Sequence, residues 1–346
     1  MSLAHGRVLL IKNGDLSLDY RLKPDNINVT HVTKVLTMLA FLARHSAIFL
    51  FIAALIGFAF PAVSLALFPF LPYVLFALML FTLLGIHQGL LVKALGQWQV
   101  WVYAFIHAVV LTLITCSIAW LLGASTGLLL AISGICATGS LFATPAIIRS
   151  LGMDALIAMA YTIASTLLMP VVLFVNLTIF SGDAFSLDLQ SYVIRLVVFI
   201  FGPMAFAAIF HALVKPEKLK RIHGKLAQFT IVLVFSFPLG LVGPFGETWQ
   251  NDQAYALELL AISVAICMLF FTIAFGLYRR QGQAASMIAA VTAVNRNVLL
   301  TYTVAGVALG PVFLPLIGAI QLPIYLQPLL VRWAIRHAHR ADTQVP

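Results

Sequence analysis

The fold is decided by residues 282–308, which read GQAASMIAAVTAVNRNVLLTYTVAGVA. The stretch is mostly apolar or small, contains no Asp or Glu, and carries Asn295-Arg296-Asn297 near its centre. A bilayer core about 30 Å thick is crossed by roughly 20 such residues in a helix. We therefore predict a membrane span with a cation at its middle, where charged residues are costly and mark functional sites.

The whole chain shares this apolar character. Of its 346 residues, 62% are hydrophobic and 9% are charged, and the mean hydropathy is +1.05. Soluble proteins carry about 25% charged residues, so this composition requires lipid rather than water around much of the surface. It predicts an all-α integral membrane protein whose surroundings are the lipid bilayer.

Ten apolar runs are long enough to cross a membrane as helices. They cover residues 45–63, 69–87, 97–122, 126–150, 153–180, 190–214, 224–243, 254–279, 282–308 and 311–335. With both termini inside, all of the 20 Lys and Arg residues except Arg195 and Arg296 fall on the inner side. The positive-inside rule then predicts a multi-pass protein of the cell inner (plasma) membrane, with cytoplasmic N- and C-termini.

Ten spans divide the chain into two halves of five. We predict a cytoplasmic N-terminal tail with an interfacial helix (1–44), a first five-helix repeat (45–180), a second repeat (190–335) and a basic cytoplasmic tail (336–346). An odd number of spans per half inverts the second repeat in the membrane. Secondary transporters are often built this way, with the solute site where interrupted helices of the two halves meet.

Each half contains one candidate interruption, in its fourth span. Pro145 removes a backbone donor and disfavours helix at Thr144, and Gly139 loosens the turn before it. The corresponding segment of the second half is Asn295–Asn297. Freed backbone groups at membrane depth are tolerated only where they face protein or a wet cavity. A simple proline kink, satisfied by neighbouring helices, is the alternative for the first segment.

Arg296 is the sharpest candidate for a site residue. Its guanidinium suits a carboxylate or another planar anion, and the Asn295 and Asn297 amides flank it. A structural salt bridge to Asp154 is the alternative, but Asp154 is expected to begin the fifth span at the inner surface, where it suits a helix N-terminus.

Four other polar residues are candidates for the wall of a solute site or for helix packing: Ser140, Thr144, Thr166 and Gln321. His107 is either a proton relay or a hydrogen-bonded packing residue.

Several function classes lack their sequence patterns. The chain has no GxSxG, no HExxH and no phosphate-binding loop with a lysine, so we expect no enzymatic activity and no ATP-driven transport. The three cysteines lie in apolar runs without metal-ligand spacing, so no metal and no cofactor is expected. Basic residues are spread among the inner loops, which argues against nucleic-acid binding.

Several motifs, in order along the chain, carry a resemblance to a known family. They are Phe41-Leu42-Ala43-Arg44-His45, Ala143-Thr144-Pro145-Ala146, Gly152-Met153-Asp154-Ala155-Leu156, Ser165-Thr166-Leu167-Leu168-Met169-Pro170, Asn295-Arg296-Asn297 and Gln321-Leu322-Pro323-Ile324-Tyr325-Leu326-Gln327-Pro328. From Phe41 onward the chain resembles the bile acid:sodium symporter family, in a bacterial branch. The resemblance implies a panel domain of spans 1, 2, 6 and 7, and a core domain of the other six in which the broken spans four and nine cross.

The departure from that family concerns sodium. Its sodium-dependent members place a glutamate in the ninth helix and a Ser-Asn pair in the fourth, whereas this chain has Ala290 and Ala143-Thr144 near those positions. A site without a carboxylate is a poor host for a hard cation. We therefore expect sodium not to be needed, with Arg296 supplying a fixed positive charge for an anionic solute.

The sequence thus predicts a secondary active transporter of a small organic anion that works by alternating access. Three alternatives stay open. They are a sodium-coupled organic-anion symporter of the ordinary family type, a non-transporting membrane sensor that binds a ligand, and a passive channel. Bile acids, steroid sulfates and small carboxylates such as keto acids all fit the expected solute class.

Overall fold

The structure is a computed structural model. It describes residues 10–12, 15–17, 45–86, 88–180, 188–215, 218, 222, 230 and 233–342. The interfacial helix predicted at the end of the N-terminal tail, residues 30–44, lies outside the described residues. The tail does contain a short antiparallel strand pair that the sequence did not predict, β1 (Leu10–Lys12) and β2 (Asp15–Ser17). The rest of the described chain is helical or connects helices.

The described residues of the first half form seven helices. They are α1 (Ser46–Ala59), α2 (Pro61–Leu84), α3 (Gln88–Leu95), α4 (Trp98–Leu121), α5 (Thr126–Ala137), α6 (Thr144–Ser150) and α7 (Ala155–Phe180). A short 3₁₀ turn, Phe68–Phe70, lies within α2, and a π-helical turn, Ile106–Val110, lies within α4.

The second half of the described chain also forms seven helices. They are α8 (Leu189–Leu213), α9 (233–241), α10 (Gly243–Asn251), α11 (Gln253–Tyr278), α12 (Gln283–Val294), α13 (Val298–Ala305) and α14 (Phe313–Asp342). The last helix continues seven residues beyond the predicted end at 335, into the segment predicted as a tail.

The boundary between the first two helices differs from the prediction. The sequence placed Pro61 inside a run at 45–63, but α1 ends at Ala59 and α2 begins at Pro61. Proline is favoured at the first position of a helix, because its missing N–H has no helical partner there and its φ is already helical. Hydrophobicity does not change across this point, so the apolar run concealed the boundary.

Exposed apolar surface is extensive. Within the described residues, six helices have the length and apolar composition to cross a membrane, namely α2, α4, α7, α8, α11 and α14, the last as Phe313–Ile335. Trp98 and Trp120 lie exposed near the two ends of α4, about 33 Å apart at 1.5 Å per residue. That separation matches the bilayer core of about 30 Å, and exposed tryptophans are typical of its two interfaces. The chain is a multi-pass α-helical membrane protein.

The helices pack in two groups. In one, α2 packs against α8 and α10, and α10 packs against α1. In the other, α7 packs against α4, α5 and α6 in the first half, while α11 packs against α12 and α14 in the second. The groups meet where α14 packs on α1 and α10, and where α13 packs on α2 and α8. The two short apolar helices α5 and α12, of 12 residues each, belong to the second group.

Candidate functional site

The first interruption separates α5 from α6. α5 ends at Ala137, and Thr138 has extended backbone angles, φ −65° and ψ 149°. Residues 138–143 lie outside any helix, and α6 then begins with Thr144 and Pro145 in its first turn. Proline is tolerated at that end of a helix but not in its interior. This part of the chain therefore forms two short helices, α5 and α6, and Pro145 is the second residue of α6.

The second interruption separates α12 from α13 and is shorter. α12 ends at Val294, residues 295–297 lie outside any helix, and α13 begins at Val298. Asn297 caps α13, since its side-chain oxygen accepts a hydrogen bond from the Leu300 N–H at 3.4 Å. The Asn295 side chain donates back to the Val291 carbonyl at 2.7 Å and to the Gln327 side chain at 3.0 Å.

The two interruptions cross and pair with each other. Ser140 and Arg296 form an antiparallel β-bridge. The Leu141 N–H donates to the Asn295 carbonyl at 2.8 Å, and the Asn297 N–H donates to the Gly139 carbonyl at 2.9 Å. Backbone groups that leave each helix therefore satisfy those that leave the other, which is the condition for irregular backbone at membrane depth. We call residues 138–143 and 295–297 the crossing.

Hydroxyl groups complete the crossing. The Ser140 hydroxyl donates to the carbonyls of Thr292 and Asn295, at 3.0 and 3.1 Å. The Thr138 hydroxyl donates to the backbone carbonyl of Asn297 at 2.8 Å. The Ser140 N–H donates to the Ser165 hydroxyl on α7 at 3.1 Å.

Gly139 lies against α7. A Cβ at Gly139 would come within 2.6–2.7 Å of the backbone and hydroxyl of Thr166, so only glycine fits there. Its role is close approach between two backbones.

Arg296 is buried at the crossing, with 2% of its surface exposed. Its Nη1 donates to the carbonyl oxygens of His107, Cys136 and Thr138 at 3.1, 2.8 and 3.0 Å, and its Nη2 donates to His107 at 3.1 Å. Its Cζ lies 4.2 Å from the centroid of the Phe270 ring. The guanidinium therefore joins the end of α5 to the π-helical turn of α4 and to α11.

The salt bridge to Asp154 considered from the sequence is not formed. Asp154 instead accepts a hydrogen bond from the Leu156 N–H at 2.8 Å, at the start of α7. Among the described residues, the hydrogen-bond acceptors of Arg296 are backbone carbonyls and not carboxylates. The Arg296 Nε is buried and has no partner among them.

A pocket of about 570 Å³ lies beside the crossing. One wall comes from α1, α2 and α9, and includes Leu50, Leu78 and Phe235. The opposite wall comes from the first interruption, α6 and α7, and includes Phe142 and Met159. Its lining is mostly apolar with a few hydroxyl groups, and Arg149 on α6 is the one charged residue among the described residues that line it.

The predicted site residues divide between the crossing and its surroundings. Ser140, Asn295, Arg296 and Asn297 meet at the crossing, and Thr144 contacts Ser140 through their hydroxyls at 3.2 Å. Among the residues predicted for the site, Pro145 is the one that belongs to the described lining of the pocket. The solute contacts predicted for the other residues stay predictions.

The other two predicted wall residues lie away from the pocket lining. The Thr166 hydroxyl is buried without a partner among the described residues, next to Gly139. Gln321 donates to the Ile317 carbonyl one turn earlier in α14, at 3.0 Å. His107, considered as a proton relay, contacts the Tyr103 hydroxyl through Nδ1 at 3.2 Å.

Sequence reasoning missed Arg149 as a pocket residue. It was counted with the basic residues of the inner loops, and nothing in its neighbourhood distinguishes it from them. A signal was present in its position, because it lies four residues after Pro145 on the same short helix. Residues three or four apart share a helix face, so Arg149 shares its face with Pro145 in the first turn of α6.

Comparison with models of protein families finds no match for this chain, and comparison with curated proteins finds no significant match.

Proposed function

We propose that this chain is a secondary active transporter of a small organic anion that works by alternating access. The observation that supports this most directly is the crossing of two interrupted helices beside a pocket of solute size. Pockets for small molecules measure about 300–1,000 Å³ and are mostly apolar with a few polar groups. Interrupted helices of two repeats are where secondary transporters bind their solutes.

The position of the pocket supports alternating access. One wall comes from α1 and α2 of the first packing group and from α9, which lies against both through Leu239 and Gly240, and the other wall comes from α6 and α7 of the second group. We assign the groups as the panel and core domains of a ten-span protein built from two inverted repeats. A rocking motion of one group against the other would close this pocket on one side of the membrane and open its counterpart on the other. Positive-inside orientation would make this pocket the cytoplasmic one.

The lining indicates an anion with an apolar body. Leu, Phe and Met side chains offer a surface for rings or alkyl groups, and the Arg149 guanidinium offers a charge for a carboxylate or sulfonate. We therefore assign solute recognition in this conformation to Arg149. Arg296 keeps the role of a fixed cation at the crossing, although its guanidinium is turned to backbone carbonyls.

Sodium-independent transport is part of the proposal. Residues 282–310 contain no Asp or Glu, and the buried position at the crossing already carries the Arg296 charge. A second cation placed close to it would be repelled, most strongly at low dielectric. A sodium-coupled symporter is the alternative, and it differs in one measurable property, the salt requirement of uptake.

Binding to the purified protein tests the solute assignment. Taurocholate represents an anion with an apolar body, and pyruvate represents a small carboxylate. We expect taurocholate to stabilise the wild type against heating, and Arg149→Gln to weaken its affinity about tenfold, the effect of losing about 1.4 kcal/mol of a charged hydrogen bond. Arg280→Gln is the matched control, since Arg280 is exposed beyond the end of α11 and is not among the lining residues.

Two results would count against the assignment. Equal loss of affinity in Arg149→Gln and Arg280→Gln would mean that general surface charge attracts the anion. Binding of taurocholate without counterflow in sealed vesicles would favour the membrane sensor over the transporter.

A further inference from the structure

We propose that the end of α5 and the π-helical turn of α4 form a cation-binding nest of backbone carbonyls, that its ligand class is a guanidinium-type monovalent cation, and that Arg296 occupies it from within the chain. The nest consists of the carbonyl oxygens of His107, Cys136 and Thr138. The proposal deepens the function proposed above, because it gives the buried charge at the crossing a role in positioning α5. It makes Arg296 a positioning residue and not a solute ligand.

Nη1 of Arg296 is a positively charged donor surrounded by backbone carbonyl dipoles. Three carbonyl oxygens lie within 2.8–3.1 Å of this nitrogen, but a guanidinium Nη carries only two N–H groups. At least one N–H is therefore shared between two acceptors. The donor is a charged guanidinium, and hydrogen bonds from a charged donor are about twice as strong as neutral ones, so one group can hold three carbonyls together.

The carbonyls lie where a cation is favoured. Cys136 lies in the last turn of α5, where carbonyls lack helical donors and the helix dipole is negative. Thr138 is extended, so the chain does not turn back to cap this end with its own N–H groups. His107 lies in the π-helical turn of α4, and such turns are frequent at functional sites. A single positive charge serves both helices.

Nothing else in the described surroundings neutralises the charge. The acceptors of Arg296 are backbone carbonyls, and the remaining contact of its guanidinium is the face of Phe270 at 4.2 Å. Carbonyl dipoles and an aromatic face attract a cation without fixing a negative charge. The nest therefore selects a monovalent cation, and the ring face adds a preference for a planar one.

The distribution of hydrogen bonds over the guanidinium is the reason to expect that a small molecule can replace the side chain. The hydrogen bonds of Arg296 are made by Nη1 and Nη2, while Nε is buried without a partner among the described residues. Recognition thus uses the part of the guanidinium that methylguanidinium reproduces. Removing the side chain in Arg296→Ala leaves the nest intact in composition and leaves room for that cation.

The experiment measures thermal unfolding of purified Arg296→Ala with about 20 mM methylguanidinium, urea or potassium, at equal ionic strength. We expect the variant to unfold at least about 5 °C below the wild type. Methylguanidinium should restore more than half of that difference, and neither urea nor potassium should do so. The wild type should not respond to any of the three, because its nest is occupied. Arg195→Ala removes an exposed arginine from α8 and should neither lose stability nor respond.

Equal stability of Arg296→Ala and the wild type would overturn the proposal, and so would recovery with urea to the same extent as with methylguanidinium. If Arg296→Ala does not fold, Arg296→Lys and Arg296→Gln decide the question. Lysine keeps a cation and should be the more stable of the two, and a glutamine variant as stable as the lysine variant would contradict a cation site. No solute is present in these measurements, so failure of transport and failure of the nest give separate results.

Discussion

The two interruptions occupy the fourth span of each predicted half, yet they satisfy their helix ends by different chemistry. The end of α5 is held by a buried charge, the Arg296 guanidinium, which reaches across from the other interruption. The end of α12 is held by neutral groups, the Ser140 hydroxyl and the Asn295 amide. The first interruption is also longer, with residues 138–143 outside any helix against 295–297 in the second.

The difference shows that a shared topology does not require a shared way of stabilising it. A neutral hydroxyl is sufficient where the chain departs from the helix for only a few residues and pairs again at once. At the end of α5 the carbonyls of Cys136, Thr138 and His107 converge, and one cation satisfies all three together. The arrangement is partly reciprocal, since Arg296 of the second interruption holds the end of α5 and Ser140 of the first interruption contributes to holding the end of α12.

Removing the charge should have the largest effect on folding. Arg296→Gln leaves the carbonyls of Cys136, Thr138 and His107 with at most a neutral donor, and buried unsatisfied groups cost about 1–3 kcal/mol each. We expect a loss of about 3 kcal/mol in the free energy of unfolding, measured by titration with a denaturing detergent. Arg195→Gln, at an exposed position of α8, should change it by less than about 0.5 kcal/mol. Similar losses in both would contradict a special role for the buried charge.

Adding a methyl group where Gly139 lies against α7 should have the second largest effect on the free energy of unfolding. In Gly139→Ala the new Cβ would lie 2.6–2.7 Å from the Thr166 hydroxyl, Cα and N, so the backbone of α7 or of the crossing must move. Overpacking of this kind costs about 1–3 kcal/mol. Gly276→Ala is the matched control, because a Cβ there meets no atom within 4 Å, and alanine favours the helix by up to about 1 kcal/mol. A stable Gly139→Ala variant would mean that the crossing is looser than its packing indicates.

Removing the Ser140 hydroxyl at the end of α12 should have a smaller effect on the free energy of unfolding. Ser140→Ala deletes the hydroxyl that serves Thr292 and Asn295 at the end of α12, and a neutral hydrogen bond contributes about 1 kcal/mol. In Ser263→Ala the lost hydroxyl donates only to Leu259 one turn earlier within α11, so we expect a change near zero. Comparing the two by thermal unfolding isolates the contribution of the crossing. A loss in Ser140→Ala as large as that in Arg296→Gln would remove the distinction between the two interruptions.

The smallest effect on folding is expected at Arg149, although this substitution should change solute binding most among surface sites. The residue is exposed on α6, and surface substitutions usually stay within about 0.5 kcal/mol. In the absence of solute, the free energy of unfolding of Arg149→Gln should therefore equal that of the wild type within about 0.5 kcal/mol. A marked loss of stability without solute would assign Arg149 to the fold and not to the pocket.

Long features of the molecule were predictable from the sequence because they depend on local composition. Apolar runs located the long helices, and Pro145 and Asn295–Asn297 located the two interruptions. The boundary at Pro61 was missed because hydrophobicity is continuous there, and the short helix Gln88–Leu95 was missed because it lies between apolar runs. The partners of Arg296 were not predictable, since they are backbone carbonyls brought together by the end of α5 and a π-helical turn. The π-helical turn has no clear sequence pattern, and the pocket position of Arg149 is indicated only by its spacing of four residues from Pro145.

Counterflow of radiolabelled taurocholate in sealed proteoliposomes tests the transport proposal most directly. Vesicles are loaded with unlabelled taurocholate and diluted into trace label, in potassium buffer free of sodium and in sodium buffer. A sodium-independent carrier predicts saturable, transient accumulation of label that is equal in the two buffers and reduced about tenfold at limiting solute in Arg149→Gln. No accumulation by a protein that binds taurocholate, or accumulation in sodium alone, would contradict it.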